Sequence, residues 1–336
     1  MSDSKFSSAA ILGTGSFGTA LSVLLATQIL NLVVIGRDET VAETINTKRH
    51  NPRYLSDVAL PEGLRASTRL ADAIDHPLIL FCVPTSATRR TAEMLSELGL
   101  PTTTILVSCA KGIERDTGER MSEILREVFP KNPVAVVSGP NHAEEIATNL
   151  ATCAVVGSYD SDLAKRLQEL FTAPHFRSYT STDLAGIELG GAIKNVYAIA
   201  AGIAAGLGLG DNAIAALVTR ALAEMTRLGV ALGGQAETFS GLSGVGDLIA
   251  TCFSVHSRNH RVGLALGRGE TLDEATASLG MVAEGVPNTL SIHDAASKAG
   301  VRAPIIDSVY SILYQNKPAA RAMHELLNRD PRPENA

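Results

Sequence analysis

Ala9-Ala10-Ile11-Leu12 runs straight into Gly13-Thr14-Gly15-Ser16-Phe17-Gly18, and an Ala/Leu-rich helical pattern follows over residues 19–28. An apolar run, a G-x-G-x-x-G turn and a helix in that order read as the opening of a dinucleotide-binding unit. Each glycine has its own reason. Gly13 permits the tight turn, Gly15 lets the backbone approach a pyrophosphate, and Gly18 lets the helix pack on the strand. The helix start also offers N–H groups and a positive dipole end to an anion. A second strand, residues 32–35, ends in Gly36-Arg37-Asp38, where such folds choose their adenosine ribose. An acidic group there suits NAD and an arginine suits NADP. Both are present, and Arg37 can also lie on the adenine, so the cofactor reads as NAD or NADP.

The same rhythm continues outward. Strands are expected over 78–83, 104–108, 134–138, 152–156 and 175–178, with helices over 41–48, 86–98, 117–129 and 161–171. Alternating strands and helices argue a parallel, doubly wound sheet with ligands at the carboxyl ends of its strands. Three loops fall at such ends: Val83-Pro84-Thr85, Ser108-Cys109-Ala110-Lys111-Gly112 and Ser138-Gly139-Pro140-Asn141-His142-Ala143-Glu144. From Asp183 onward helical periodicity takes over. The expected fold class is α/β: a Rossmann-type doubly wound domain over residues 1–183, then an all-α domain over 184–336. The charged, proline-containing stretch from Asn328 to Ala336 reads as a disordered tail.

Composition narrows the partners. The chain has 336 residues, enough for two cores. Trp is absent, aromatics are 4 % and the net charge is −6, which argues against nucleic acid, so a bound phosphate should be small and held locally. No signal core precedes the first strand in MSDSKFSSAA, and no window of eighteen uninterrupted apolar residues appears. Cys82, Cys109, Cys153 and Cys252 form no Cys-x-x-Cys pair and read as reduced residues of a cytoplasmic protein with no membrane insertion. His256 and His260 are four apart, but no third ligand has suitable spacing, so no metal is expected.

One lysine stands out in the helical half. In Gly186-Ile-Glu-Leu-Gly-Gly-Ala-Ile-Lys194-Asn195, the residues Leu189, Ile193, Val196, Ala200 and Ile203 make one buried stripe, and Lys194 falls off it. Gly190, Gly191, Ala198 and Ala201 share its face and are too small to cover it, so a ligand or another backbone can approach the ammonium; a solvated surface lysine is the alternative. A second stripe, Ile214, Leu217, Ala221, Met225 and Leu228, marks a long helix with Asp211 and Asn212 as expected caps. Further on, Gly241-Leu-Ser-Gly-Val-Gly-Asp247 feeds another helix, which Asp247 either caps or leaves to face a ligand. Ser257-Arg258-Asn259 offers a hydroxyl, a guanidinium and an amide, a set suited to a phosphate ester.

These residues carry a resemblance. GTGSFGTA, KGIE at Lys111, SGPNHAEE at Ser138, GIELGGAIKNVYAIAAGI, the DNA-x-A-A-L-V-T-R-A-L-A-E-M stretch from Asp211, GLSGVGDLIATC, SRN at Ser257 and VAEG at Val282 together resemble the bacterial NAD(P)-dependent glycerol-3-phosphate dehydrogenase family. The resemblance implies reversible hydride transfer between sn-glycerol 3-phosphate and dihydroxyacetone phosphate, supplying glycerol 3-phosphate for phospholipid synthesis. It implies Lys194 as general acid/base, with Lys111, Gly139, Asn141, Asp247, Ser257, Arg258 and Asn259 around the substrate. Gly13, Gly15, Ser16, Phe17, Gly18, Arg37, Lys111, Ala143, Arg258, Val282 and Glu284 would meet the cofactor. Two positions depart from the family's pattern, which usually has a small hydroxyl residue at Asn141 and an aromatic one at His142.

Elementary chemistry fits that assignment. An alcohol carbon gives up hydride only if its hydroxyl proton also leaves, so a base must lie within hydrogen-bond reach. Moving a lysine from ~10.4 to neutrality costs about 4 kcal/mol, supplied by burial and by the charges of Lys111 and Arg258, with Asp247 opposing. The competing readings are a β-hydroxyacid dehydrogenase of the 6-phosphogluconate or 3-hydroxyisobutyrate type and a non-catalytic dinucleotide-sensing regulator. The small-residue helices of the second half suggest a homodimer.

Overall fold

A computed structural model describes residues 6–279 and 282–328. Of the tail expected from Asn328 to Ala336, residues 329–336 lie outside the described residues, as do the first five. Among the described residues the first half builds one eight-stranded sheet from β1 (Ser8–Leu12), β2 (Asn31–Ile35), β3 (Leu64–Ser67), β4 (Leu78–Phe81), β5 (Ile105–Ser108), β6 (Val134–Ser138), β7 (Thr152–Gly157) and β8 (Phe176–Ser181), in the order 3-2-1-4-5-6-7-8. Between them run α1 (Ser16–Leu25), α2 (Glu39–Lys48), α3 (Thr88–Glu97), α4 (Met121–Val128), α5 (Ala143–Ala147) and α6 (Ser161–Phe171).

The strands are apolar on both faces because both are covered. Ala9, Ile11, Val34, Leu80 and Val107 enter one core, while Ala10, Leu12, Val33, Ile79 and Leu106 enter the other. This alternation is the period of two expected of a strand. The order reverses between β1 and β4, so the crevice beyond their carboxyl ends opens over Gly13 and Val83.

The expected all-parallel sheet needs one correction: β7 runs antiparallel to β6. The connection holds only the five-residue α5, about 7.5 Å long, whereas a parallel return must travel back along a strand of about 17 Å. The short β3 was not anticipated, since only Leu64 and Ala66 point inward. The helix expected over 117–129 begins at Met121, because Gly118 turns at φ 78° and Ile113 pairs with Arg120 in a small hairpin.

After β8 come α7 (Leu184–Gly206), α8 (Asp211–Ala231), α9 (Ala236–Phe239), α10 (Asp247–Phe253), α11 (Arg258–Gly267), α12 (Leu272–Ala277), α13 (Gly285–Lys298), α14 (Pro304–Tyr314) and α15 (Ala319–Leu327). Asp183 caps α7 by accepting from Gly186 N at 2.9 Å, and its other oxygen accepts from Gln235 N and the Thr238 hydroxyl. The single buried stripe expected of α7 is corrected as well. Every residue from Leu184 to Ala204 is buried, so α7 is the axle of the helical half and Lys194 lies inside it. By length and composition α7 could cross a membrane, yet 89 % of its most apolar window is buried in the fold. Asp211 and Asn212 do not cap α8; Gly210, at φ 82°, holds the cap position and they begin the helix.

Glycines let α7 and α11 touch backbone to backbone. A Cβ at Gly202 would come within 2.1 Å of His260 O, and one at Gly263 within 2.1 Å of Ile199 O. The small residues that suggested a dimer surface are thus spent inside the subunit. Glu224 of α8 accepts from Ile305 N and Ile306 N, both 3.1 Å, and so caps α14, whose own cap residue Ala303 cannot. Substituting Gly263→Ala should cost at least ~1–3 kcal/mol, since backbone rather than a flexible side chain must yield; an unchanged urea midpoint would contradict this packing.

Candidate functional site

The first wall of the site is the turn after β1. Gly13 takes φ 115° and donates to Ile35 O at 2.7 Å; a Cβ there would lie 2.6 Å from Cys82 O. A Cβ on Gly18 would meet Gly13 O at 2.0 Å, so helix and turn close only with glycine. Gly15 differs, because a Cβ there would meet nothing within 4 Å. It borders open space at the start of α1, where Gly15 provides no side-chain cap and Ser16 and Phe17 form the first turn. A backbone cradle at a helix start, open only above its middle glycine, fits a pyrophosphate.

Asn51, in the loop after α2, is fully buried and braces this turn. Its amide donates to Thr14 O and to the Thr19 hydroxyl, both at 2.9 Å. At the end of β2, Asp38 caps α2 through Val41 N and pairs with Arg53 at 3.1 Å. Arg37 beside it is exposed. Ala143 begins α5, which packs against α1.

The second wall comes from the helical half. Lys194 projects from α7 and is 4 % exposed. Its ammonium donates to Asp247 Oδ1 and, at 2.6 Å, to the Thr251 hydroxyl. Lys111, from the loop after β5, donates to the other oxygen of the same carboxylate at 2.9 Å. It also donates to Gly139 O at 2.9 Å and to Asn141 Oδ1 at 2.7 Å. Asp247 therefore does not cap α10; the chain enters that helix from the turn Leu242–Gly246 and the carboxylate lies between two ammonium groups.

Burial pushes the Lys194 amine down to about 7; Asp247 resists and Lys111 adds to the push. Burial would raise the Asp247 carboxyl, but the charges of Lys111 and Lys194 hold it below its usual range. His142 lies at the edge of this cluster, lowered by burial and by Lys194, with Nε2 3.2 Å from Ala250 O.

The loop after β6 contributes Gly139, at φ 130°, where a Cβ would press on Ala154 Cα at 3.2 Å. Asn141 is 3 % exposed; its carbonyl oxygen takes Lys111, while its Nδ2 and the nearby Ser138 hydroxyl have no partner among the described residues. Such unspent buried donors are costly unless a ligand takes them.

Each residue of the Ser257-Arg258-Asn259 set has partners inside the protein. Ser257 caps α11 by accepting from His260 N at 3.2 Å. The Asn259 amide is bonded at both atoms, donating to Asn195 Oδ1 at 2.8 Å and accepting from Gly285 N at 2.9 Å. At 7 % exposure it needs those partners. Arg258 donates to Val282 O at 2.9 Å and faces Glu284, whose carboxyl burial raises against the pull of Thr85 N–H and Arg258.

Lys111, Gly139, Asn141, Asp247 and Lys194 thus form one hydrogen-bonded set, and Asn195 joins it to Asn259 and α11. Gly13, Gly15, Ser16, Phe17 and Gly18 make the turn after β1 and the start of α1, Arg37 follows β2, and Ala143 begins α5 beside α1. Thr251, Asn195 and Asn288 escaped the sequence reading. Thr251 follows Asp247 by four in a helix and Asn195 follows Lys194 directly, both readable in retrospect. Asn288, which donates to Lys111 O at 2.8 Å, carries no local signal.

Comparison with known proteins identifies the family. A family model described as the N-terminus of NAD-dependent glycerol-3-phosphate dehydrogenase matches residues 8–164, and one for its C-terminus matches residues 183–324. A Streptomyces griseus protein named glycerol-3-phosphate dehydrogenase [NAD(P)+] is 47 % identical, over 97 % of this chain and 98 % of its own. One of the same name from Fusobacterium nucleatum is 45 % identical, over 95 % and 96 %. A crystal structure of glycerol-3-phosphate dehydrogenase from Coxiella burnetii superposes with a TM-score of 0.93 at 37 % identity, covering 97 % of this chain and all of that one. With both halves matched, and relatives nearly half identical from end to end, the chain belongs to the NAD-dependent glycerol-3-phosphate dehydrogenase family.

Proposed function

We propose that the protein interconverts sn-glycerol 3-phosphate and dihydroxyacetone phosphate with NAD or NADP, and that Lys194 is its general acid/base. The observation that carries this reading is the buried amine of Lys194, held near neutrality and sharing one carboxylate with Lys111. The dinucleotide, when bound, accepts the hydride in one direction and returns it in the other. The chain's own groups do the rest.

In alcohol oxidation the neutral Lys194 amine takes the hydroxyl proton, and in reduction its ammonium gives one back. Asp247 and Thr251 aim that nitrogen, while the Lys111 ammonium faces the same oxygen as charge develops on it. Gly139 and Asn141 line the substrate. Arg258, Ser257 and the start of α11 hold the phosphate, with Asn259 bracing them through Asn195. Gly13, Gly15, Ser16, Phe17 and Gly18 cradle the pyrophosphate, Arg37 meets the adenosine end, and Ala143, Val282 and Glu284 border the cofactor with Lys111 and Arg258.

We further propose a division near Asp183, with nucleotide binding in residues 1–183 and substrate binding in 184–336. A cytoplasmic homodimer supplying glycerol 3-phosphate for phospholipid synthesis completes the reading, with pairing on a face other than the glycines of α7.

Kinetics with dihydroxyacetone phosphate, 6-phosphogluconate and 3-hydroxyisobutyrate test the substrate; turnover of either hydroxyacid in preference to the triose phosphate would overturn it. Lys194→Ala should lower turnover about 10²–10⁴-fold while leaving dinucleotide affinity intact. In the wild-type enzyme, the oxidation rate should rise with pH through a limb near about 7, because the free amine is the base. The reduction rate should fall through the same limb. Gly15→Ala should change stability by no more than about 0.5 kcal/mol, as nothing lies within reach of the added methyl. It should nonetheless weaken the dinucleotide at least about tenfold by fluorescence titration, a loss of ~1.4 kcal/mol.

A further inference from the structure

Glu188 is an acidic residue on the buried axle α7, 4 % exposed, and its carboxylate turns to α4. Its carboxylate accepts from Ser122 N at 2.8 Å, the Ser122 hydroxyl at 2.5 Å and Arg120 Nη1 at 2.9 Å, all at the start of α4. Arg120 is bridged in antiparallel fashion to Ile113, and Glu114 N donates to Glu119 O at 2.8 Å, so residues 113–120 form a hairpin that starts just after Lys111. Ile113 is 2 % exposed and sits in the same core as Leu189, Ala192 and Ile193 of α7.

The near end of this hairpin is held by the same helix, because Asn195 Nδ2 donates to Lys111 O at 3.2 Å. Glu188 and Asn195 are seven residues apart in sequence, two turns along one face of a helix. Between them lies Gly191, where a Cβ would come within 3.4 Å of Lys111 Cγ, so the stem of Lys111 rests on α7 between two anchors. The helix that carries Lys194 thereby grips, at both ends, the segment that carries Lys111.

We propose that Glu188 is a positioning residue for proton transfer: by holding the Lys111 hairpin against α7, it sets how Lys111 and Lys194 share Asp247. The inference rests on Lys194 being the acid/base. Lys194 is faced by Asp247 and Cys252 from α10, by Lys111 from the hairpin and by His142 from the loop after β6. Of these, the hairpin is the element Glu188 fixes. Loosening it draws one positive charge away from Lys194 and leaves Asp247 in place, so the amine holds its proton to higher pH.

The test is the pH profile of alcohol oxidation by full-length wild-type, Glu188→Gln and Ser122→Ala proteins, with dinucleotide affinity and thermal unfolding alongside. Glu188→Gln should lower kcat at neutral pH roughly ten- to a hundredfold and move the midpoint of the rising limb upward by about half a pH unit or more. Dinucleotide affinity should fall by less than kcat does, since Gly13, Gly15 and Gly18 belong to the turn after β1 and the start of α1, not to the hairpin. Ser122→Ala, which keeps the Ser122 N–H bond, should shift the limb the same way by less, and it decides the matter if Glu188→Gln does not fold. A folded variant whose limb stays at the wild-type midpoint overturns the proposal, whatever its kcat, because a purely structural glue lowers the amount of active enzyme without moving the limb. A wild-type profile lacking the limb, or one retained in Lys194→Ala, would instead overturn the assignment of Lys194.

Discussion

One buried carboxylate serves two lysine side chains, one of them buried and the other only partly so, and that imbalance governs the site. Asp247 is 1 % exposed and accepts from Lys194 on one oxygen and Lys111 on the other. A buried ion pair must offset a large desolvation cost, and a third charge of either sign adds to it. The excess positive charge is relieved either by a proton leaving the more deeply buried amine or by an anion entering beside it. Those are the two events a dehydrogenase acting on a phosphorylated alcohol requires. The depressed Lys194 and the unspent donors at Asn141 and Ser138 are expressions of one constraint.

Holding such a cluster takes a scaffold that does not relax around it. Close glycine contacts between α7 and α11 leave α7 no room to shift, and Asn195, Asn259 and Gly285 tie α7, α11 and α13 in a single chain of hydrogen bonds. Other buried carboxylates do comparable work: Asp183 knots the end of β8 to the start of α9, and Glu224 caps α14 from a neighbouring helix. Much of the polar interior of this protein thus closes helix ends that the local sequence leaves open.

The glycine turn and the lysine–aspartate cluster both lie toward the carboxyl ends of β1, β4, β5 and β6. Strand order places Gly13, Val83, Cys109 and Gly139 along one edge, and Lys111 reaches from that edge into the helical half. The asymmetry between glycines has a simple origin. Gly13 and Gly18 are required by other backbone atoms, whereas a Cβ on Gly15 would face open space.

The sequence alone determined what short-range physics determines. Strand alternation, the glycine turn after β1 and the apolar run of α7 are set by residues within a few positions of one another, and each was legible, as was Lys194 as an amine among small neighbours. Tertiary structure decided the rest. Nothing near Lys194 in the chain says that its helix is buried on every side, that Asp247 lies between two ammonium groups instead of capping α10, or that the Asn259 amide is spent on Asn195 and Gly285. The reversal of β7 likewise depends on how far a short α5 can carry the chain. Hydrogen-bond partners and dielectric surroundings are settled by whichever distant segments fold against a residue, and it is these surroundings that turn an ordinary lysine into an amine that titrates near neutrality.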